Sequence, residues 1–413
     1  MAVRSGSNRC LFYFGLQRFR QKLDSDMTLM NTYGNRTTTL VRGDGPYVWD
    51  SEGKRYLDAL SGIAVCGLGH NHPAVIKAIT EQASKLLHVS NLYNIEPQIA
   101  AGKALVEISG MDNIFFSNSG AEANEAALKL ARKYGQEKGI TTPEVITTEN
   151  SFHGRTMATL SATGNKKIKV GFAPLVSGFV HVPYDDIEAI KAAATSNTVA
   201  VMVEPIQGEG GVRVPSPNYL PQLRKLCDEH GWLLILDEIQ TGNGRTGQYF
   251  AYQHFGILPD VVTTAKGLGN GVPIGACLAR GHAATIFQPG NHGSTFGGNP
   301  LACNTALAVV RTIVEHQLPA RAAQLGEHML QKFRTALAGV SDVVDIRGCG
   351  LMMGIQLADD CSELVERAKQ AGLLINVTAG NTIRLLPPLI ISDEQADEIV
   401  RIIVDLIKSR RAE

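Results

Sequence analysis

TVAVMVEP, residues 198–205, runs through six uncharged residues and closes on a carboxylate, Glu204, followed by a proline. Two later stretches have the same form. WLLILDE (232–238) runs into Asp237 and Glu238, and DVVTTAKG (260–267) runs into Lys266 and a glycine. A strand with one wet face alternates apolar and polar residues. Near-continuous apolar strands therefore mark a sheet covered on both faces, as in parallel α/β folds. NIFF (113–116), EVITT (144–148) and IGACLA (274–279) add further strands, with helical patterns between them. One helix is expected from Pro73, with Val75, Ile79, Ala83 and Leu86 on one face. A second is expected from Pro97 to Gly110, and a third from Asn218 to His230, closed by Gly231.

Upstream, Thr38–Asp58 alternates short apolar pieces with the turn signals RGDG and DSEG, the pattern of a meander of short strands. Beyond about residue 310, long helical patterns and the short strands VVDIRG and LMMGIQL indicate a smaller lobe. The expected fold class is α/β, with a large domain over 76–306 built on a mostly parallel sheet. A small α+β C-terminal domain follows over 307–413, and a segment over 27–75 packs with it. Residues 1–26 carry Arg4, Arg9, Arg18, Arg20 and Lys22 with no acid before Asp24. That is the composition of an organelle transit peptide. A disordered tail, or upstream sequence preceding a start at Met27 or Met30, are the other two readings.

With 39 basic and 39 acidic residues the 413-residue chain has no net charge, which argues against broad nucleic-acid binding. No apolar run approaches the ~18 residues of a membrane helix, so no membrane partner is expected. The seven cysteines (10, 66, 227, 277, 303, 349 and 361) form no CxxC pair. They read as thiols in a reducing compartment rather than a disulfide framework or zinc site. The expectation is a cytoplasmic enzyme, or an organellar one if residues 1–26 are a transit peptide.

In open α/β sheets, ligands bind beyond the carboxyl ends of the strands. Glu204, Asp237 and Lys266 all fall there, and a charge next to a buried strand requires a partner. SNSGAEANEAALKLARK (117–133) follows the NIFF strand onto the same rim, and Ser119-Gly120-Ala121-Glu122 fits a capping box. Small residues at a helix start leave N–H groups open to a phosphate. Two look-alikes fail. GNGRTG (242–247) matches a dinucleotide fingerprint, but aromatic, irregular residues follow it instead of a crossover helix. WLLILDE resembles an ATPase strand, but no P-loop accompanies it. His70-Asn71-His72 precedes Pro73, so capping by Asn71 or His72 is preferred to metal binding, and no metal is expected.

A phosphate pocket, a strand-end acid and a strand-end lysine together suit pyridoxal 5′-phosphate: a helix N-terminus for the phosphate, an amine for the aldehyde and a carboxylate for the ring nitrogen. Lys266 must be uncharged to react, and bringing a lysine from ~10.4 to about 7 takes about 4 kcal/mol of differential interaction. Desolvation and a nearby cation supply that. Asp237 keeps the pyridine nitrogen protonated.

GIAVCGLGHNHP (62–73), NSGAEANEAALKLAR (118–132), FHGRTMATLSATG (152–164), EPIQGEGG (204–211), LDEIQTGNGRTG (236–247), AKGLGNGVPIGA (265–276), HGSTFGGNPLA (292–302) and RGCGLMMGI (347–355) occur in that order. On these motifs the chain, from about Thr38 to Leu406, resembles the class III (ω-amino acid) aminotransferases of the type I pyridoxal-phosphate fold. The resemblance implies that Ser119, Gly120 and Ala121 hold the phosphate, that Phe152 stacks on the pyridine ring, and that Gln240 bonds its phenolic oxygen. Thr295 would reach the phosphate of the neighbouring subunit's cofactor, making a homodimer with its active site at the subunit interface. Ser294 would line the substrate site. Arg155 would bind the α-carboxylate of the substrate and Arg384 the second carboxylate of glutamate or 2-oxoglutarate. Glu204 would pair with Arg384 while the ω-amino substrate binds. Arg245 reads as structural. The implied reaction takes the ω-amine of N2-acetylornithine to 2-oxoglutarate, in arginine biosynthesis. Succinylornithine, N-succinyl-diaminopimelate, ornithine and 4-aminobutyrate remain alternative donors, and a non-catalytic homologue is the other class.

Overall fold

The computed structural model describes residues 29–34 and 36–410; the expectation for residues 1–26 lies outside them. The strands, in chain order, are Leu40–Asp44 (β1), Tyr47–Asp50 (β2), Arg55–Asp58 (β3), Asn113–Ser117 (β4), Glu144–Thr148 (β5), Phe179–Val182 (β6) and Thr198–Val203 (β7). They continue with Leu233–Asp237 (β8), Val261–Thr264 (β9), Gly275–Ala279 (β10), Val343–Cys349 (β11), Met352–Leu357 (β12), Leu373–Leu374 (β13), Asn376–Thr378 (β14) and Thr382–Leu385 (β15).

A seven-stranded sheet in the order β4-β10-β9-β8-β7-β5-β6 forms the centre of the large lobe. Every residue of β7, β8, β9 and β10 is buried, as continuous apolar strands require. Alternate side chains feed two cores. Val201, Val203, Leu234 and Leu236 join one, and Ala200, Met202, Leu233 and Ile235 join the other. The Gly120–Glu137 helix covers the second face with Ala126, Ala127, Leu130 and Ala131. From β9 through β6 the pairing is parallel, whereas β10 runs antiparallel to both β4 and β9. The cause is the connection: residues 265–274 between β9 and β10 are too few for the crossover that a parallel return needs. The four-residue edge strand β6 was not foreseen.

Helix ends follow the local signals closely. Gly110 and Gly231 close the Glu96–Ser109 and Tyr219–His230 helices in the left-handed conformation, with φ of 70° and 64°. The Pro73–Ala83 helix stops short of Leu86, which is exposed. His72 caps it by accepting the Ala74 N–H (3.3 Å), and His70 pairs with Asp58 (2.8 Å). No metal-binding cluster exists among the described residues.

Strands β1 to β3 form a sheet completed by β13, parallel to β3, so the N-terminal strands hydrogen-bond to the C-terminal part of the chain. The C-terminal lobe has its own antiparallel sheet, β11-β12-β15-β14. The lobes meet where the GNGRTG turn packs on it. Arg245, buried in that turn, donates to the carbonyls of Leu351 (3.1 Å) and Pro387, and burial pushes its pKa down to about 9. Its role is structural. Beside it, a Cβ on Gly326 would stand 2.0 Å from the Gly350 carbonyl oxygen, backbone against backbone. Gly326→Ala is therefore expected to destabilise the protein by about 2–3 kcal/mol, seen as a lower thermal midpoint. A comparable substitution at Gly139, where a Cβ would meet nothing within 4 Å but φ is +78°, should cost only about 1 kcal/mol.

Candidate active site

The carboxyl ends of β7, β8 and β9 converge on a cavity of about 290 Å³. Glu204, Asp237 and Lys266 all line it, joined by Phe152, Gln240 and Glu209. Lys266 stands two residues beyond β9 with φ of +47°, a left-handed conformation unfavourable for a side-chain-bearing residue. Its amine makes no hydrogen bond or ion pair among the described residues. Burial depresses its pKa; Glu209 opposes that effect, and Arg384 adds to it. A half-buried, unpartnered amine facing a cavity is the state a carbonyl-trapping lysine needs.

Asp237, the last residue of β8, is 4% exposed and fully engaged. Its Oδ2 accepts from Nδ1 of His153 (2.8 Å) and Nδ2 of Asn124 (2.8 Å), and its Oδ1 accepts the Ile239 N–H (3.1 Å). Asn124 also donates to the His153 carbonyl (2.8 Å) and accepts from Thr263 (2.7 Å). These bonds fix the carboxylate's orientation. His153 and Asn124 were not identified from sequence, although both lie inside quoted motifs. The Nε2 of His153 is buried without a partner among the described residues.

Ser119, Gly120 and Ala121 line the opposite wall at the start of the Gly120–Glu137 helix. Ser119 accepts the Glu122 N–H (3.2 Å) as expected, but Glu122 reaches back one residue further, to the N–H of Asn118 (2.7 Å). The first helical N–H groups have no intrahelical acceptor and form an anion site. With a helix N-terminus, an aromatic ring, a carboxylate and a lysine around one cavity, these residues fit pyridoxal phosphate.

The arginines differ. Arg155 is exposed, with its guanidinium carbon 5.8 Å from the Phe152 ring centroid, and is not among the residues lining this cavity. Arg384, on β15, is fully buried and donates through Nη1 to Glu209 (2.6 Å) and Gln240 (3.3 Å), and through Nε to Asn376 (3.1 Å). The expected Glu204–Arg384 pair is thus corrected: the partner is Glu209. Glu204 is turned inward, accepting the N–H groups of Phe152 (3.1 Å) and Gly208 (3.3 Å). EPIQGE carries two glutamates five apart, and sequence alone could not say which reached the β15 arginine. Burial would raise the Glu209 carboxyl, but Arg384 outweighs it and holds it low.

Ser294 lines a second cavity of about 640 Å³, with Asn91, Gln98 and Phe116. Its hydroxyl accepts from Asn118 (3.2 Å), a wall residue of the first cavity, and from the Gly297 N–H (2.9 Å). Thr295 is exposed and lines neither cavity.

A mostly parallel sheet with a lysine, a carboxylate and a helix N-terminus at its carboxyl rim defines a pyridoxal-phosphate enzyme of fold type I. Residues 29–407 match the family Aminotransferase class-III, and the chain belongs to that family. It is 54% identical over 381 residues to an acetylornithine aminotransferase of Nitrosomonas europaea, covering 92% of this chain and 97% of the relative. An acetylornithine aminotransferase of Methanothermobacter thermautotrophicus is 48% identical over 379 residues, covering 92% and 96%. Among solved structures, an ornithine aminotransferase of Toxoplasma gondii described with partly occupied PLP superimposes with a TM-score of 0.91 at 34% identity, covering 99% of this chain and all of that one. An acetylornithine aminotransferase of Elizabethkingia anophelis gives 0.83 at 36% identity, covering 95% and 98%. The chain is an aminotransferase whose cofactor is pyridoxal phosphate.

Burial pushes Glu204 up to about 7 from an ordinary 4.5. The native state then holds a proton that the unfolded chain releases, so this residue makes stability fall as pH rises from about 4.5 to about 7. Glu204→Gln should remove a slope amounting to about 3 kcal/mol over that window, read from urea denaturation across pH. Glu238, raised to about 7 by the same cause, leaves a second slope of similar size in the variant.

Proposed function

We propose that this enzyme transfers the ω-amine of N2-acetyl-L-ornithine to 2-oxoglutarate, giving N-acetyl-L-glutamate 5-semialdehyde and L-glutamate in arginine biosynthesis. The names and identities of its relatives support the substrate. The observation that carries the reading is the Glu209–Arg384 pair, 2.6 Å long, in which the guanidinium is buried and the carboxylate, on the cavity wall, is 32% exposed. One site must take a donor with a single carboxylate and an acceptor with two. With Glu209 in place the guanidinium is neutralised and a one-carboxylate donor meets no unpaired buried cation. When Glu209 withdraws, Arg384 offers a fork that matches the second carboxylate of glutamate.

Pyridoxal phosphate, when bound, supplies a carbonyl that exchanges amines and a ring that draws electrons from the substrate's C–H bond. Asp237, oriented by His153 and Asn124, would face the ring nitrogen, and the helix start at Gly120 and Ala121 would hold the phosphate. Phe152 would cover the ring. Lys266 Nζ, whose charged form burial disfavours, takes up the proton from the substrate's ω-carbon. Arg155, beside Phe152, would receive the α-carboxylate, which acetylation leaves as the only charge near the α-carbon.

The enzyme acts as a cytoplasmic homodimer in this reading. Leu92 and Tyr93, next in sequence to Asn91, and Phe296, between Ser294 and Gly297, are 86%, 67% and 61% exposed, an apolar surface that a second copy would cover. That packing would bring Ser294 and Thr295 to the partner's site. Leu92→Asp should shift the protein towards monomer in sedimentation velocity and lower activity more than tenfold; a fully active monomer would refute the shared site.

Donor specificity is tested by a rate panel of acetylornithine, succinylornithine, N-succinyl-diaminopimelate, ornithine and 4-aminobutyrate with 2-oxoglutarate. Acetylornithine is expected to lead by at least tenfold in kcat/KM. The likeness to ornithine aminotransferases makes ornithine the informative competitor, and its dominance would overturn the assignment.

A further inference from the structure

Glu209 belongs to a loop that leaves β7 and returns through an antiparallel bridge between Gln207 and Arg213, closed by reciprocal backbone bonds of 3.1 and 3.0 Å. A carboxylate on so short a loop is only as well placed as the loop's own backbone. Four successive carbonyls of this loop are captured by side chains. Thr378 donates to the Glu209 carbonyl, and Arg213 to that of Gly210 (3.0 Å). Arg347 takes the other two, donating through Nε to the Val212 carbonyl (2.8 Å) and through Nη2 to that of Gly211.

Arg347 comes from the other lobe, on β11. Its remaining nitrogen, Nη1, donates to Asp345 (2.8 Å) and Gln356 (2.8 Å), so the planar fork is held in the C-terminal sheet on one side and grips the loop on the other. Arg384 lies in that same sheet, on β15, which pairs with β12 next to β11. The two partners of the Glu209–Arg384 pair therefore sit on different lobes, and Arg347 ties the loop carrying the first to the sheet carrying the second. The fit is close. Gly211 has φ of +104°, and a Cβ there would lie 3.4 Å from Nη2 of Arg347.

We infer that Arg347 is a positioning residue for amine-donor specificity: by clamping the Gly211 and Val212 carbonyls it holds Glu209 against Arg384, and so favours the one-carboxylate donor over glutamate. Arg347 itself is absent from the residues lining the cofactor cavity and lines a separate cavity with Arg213 and Tyr184. The inference rests on the reading of Glu209 as the neutralising partner of Arg384. A loosened loop leaves the guanidinium unpaired more often, which penalises acetylornithine and helps glutamate. A lysine cannot replace the fork, because one ammonium on a flexible stem does not hold two carbonyls and two acceptors in a plane.

The test uses pyridoxal-phosphate-loaded wild type, Glu209→Gln, Arg347→Gln and Arg347→Lys, each mixed separately with acetylornithine and with glutamate in single half-reactions. In Glu209→Gln the ratio of kcat/KM for acetylornithine to that for glutamate should fall about tenfold. In Arg347→Gln it should fall three- to tenfold, with acetylornithine KM raised and glutamate KM unchanged or lowered, and Arg347→Lys should fall between wild type and Arg347→Gln. A purely structural role would reduce both half-reactions by one factor, and a ratio within twofold of wild type in the Arg347 variants, with Glu209→Gln shifted, overturns the inference alone. If Arg347→Gln does not yield folded holoenzyme, Arg347→Lys decides by the same ratio. An unshifted Glu209→Gln overturns the underlying reading of the pair, and the clamp's role in specificity falls with it.

Discussion

Charge taken out of water must be neutralised, protonated or held by hydrogen bonds, and this one constraint orders the site. Five ionisable side chains, Glu204, Asp237, Lys266, Glu209 and Arg384, lie at or against one small cavity, and each meets the constraint differently. Asp237 is held by three donors. Lys266 and Glu204 are driven towards their neutral forms by burial. Glu209 is held low by the bond it shares with Arg384. Two carboxyls on the same EPIQGE segment thus behave in opposite ways, and the difference is whether a guanidinium is within reach.

The scaffold supplies those partners by converging independent elements. Asn124 reaches the end of β8 from the covering helix and His153 from the loop after β5, while Arg384 reaches Glu209 on the cavity wall from the other lobe. Preorganised donors of this kind do not have to be reoriented during the reaction, which is where polar groups in an enclosed site have their largest effect. The seam between lobes is set by backbone approaches at Gly326 and Gly350 and by the buried guanidinium of Arg245. An error there would move Arg384 relative to Asp237 and Lys266 without touching any of them.

Much was legible along the chain. Continuous apolar runs marked β7, β8 and β9 with the identity of the residue at each strand end, because burial on both faces leaves no polar alternation. Glycine marked the helix ends at Gly110 and Gly231, where a left-handed residue is required. The helix start at Gly120 and the lysine–aspartate combination were readable for the same reason: each depends on a residue's position relative to its own strand or helix.

Contacts between elements distant in sequence were decided only by the tertiary structure. The antiparallel course of β10 follows from its short connection, and the completion of the N-terminal sheet by β13 joins segments more than 300 residues apart. The partner of Arg384 is the sharpest instance. Local sequence offers Glu204 and Glu209 as equals, and a five-residue offset after a strand can point either way once the chain leaves regular geometry. Chain-local chemistry therefore determined which residue types stood at the rim. Which of them touch was determined by lobe packing, since a hydrogen bond depends on distances of a few tenths of an ångström that no local pattern encodes.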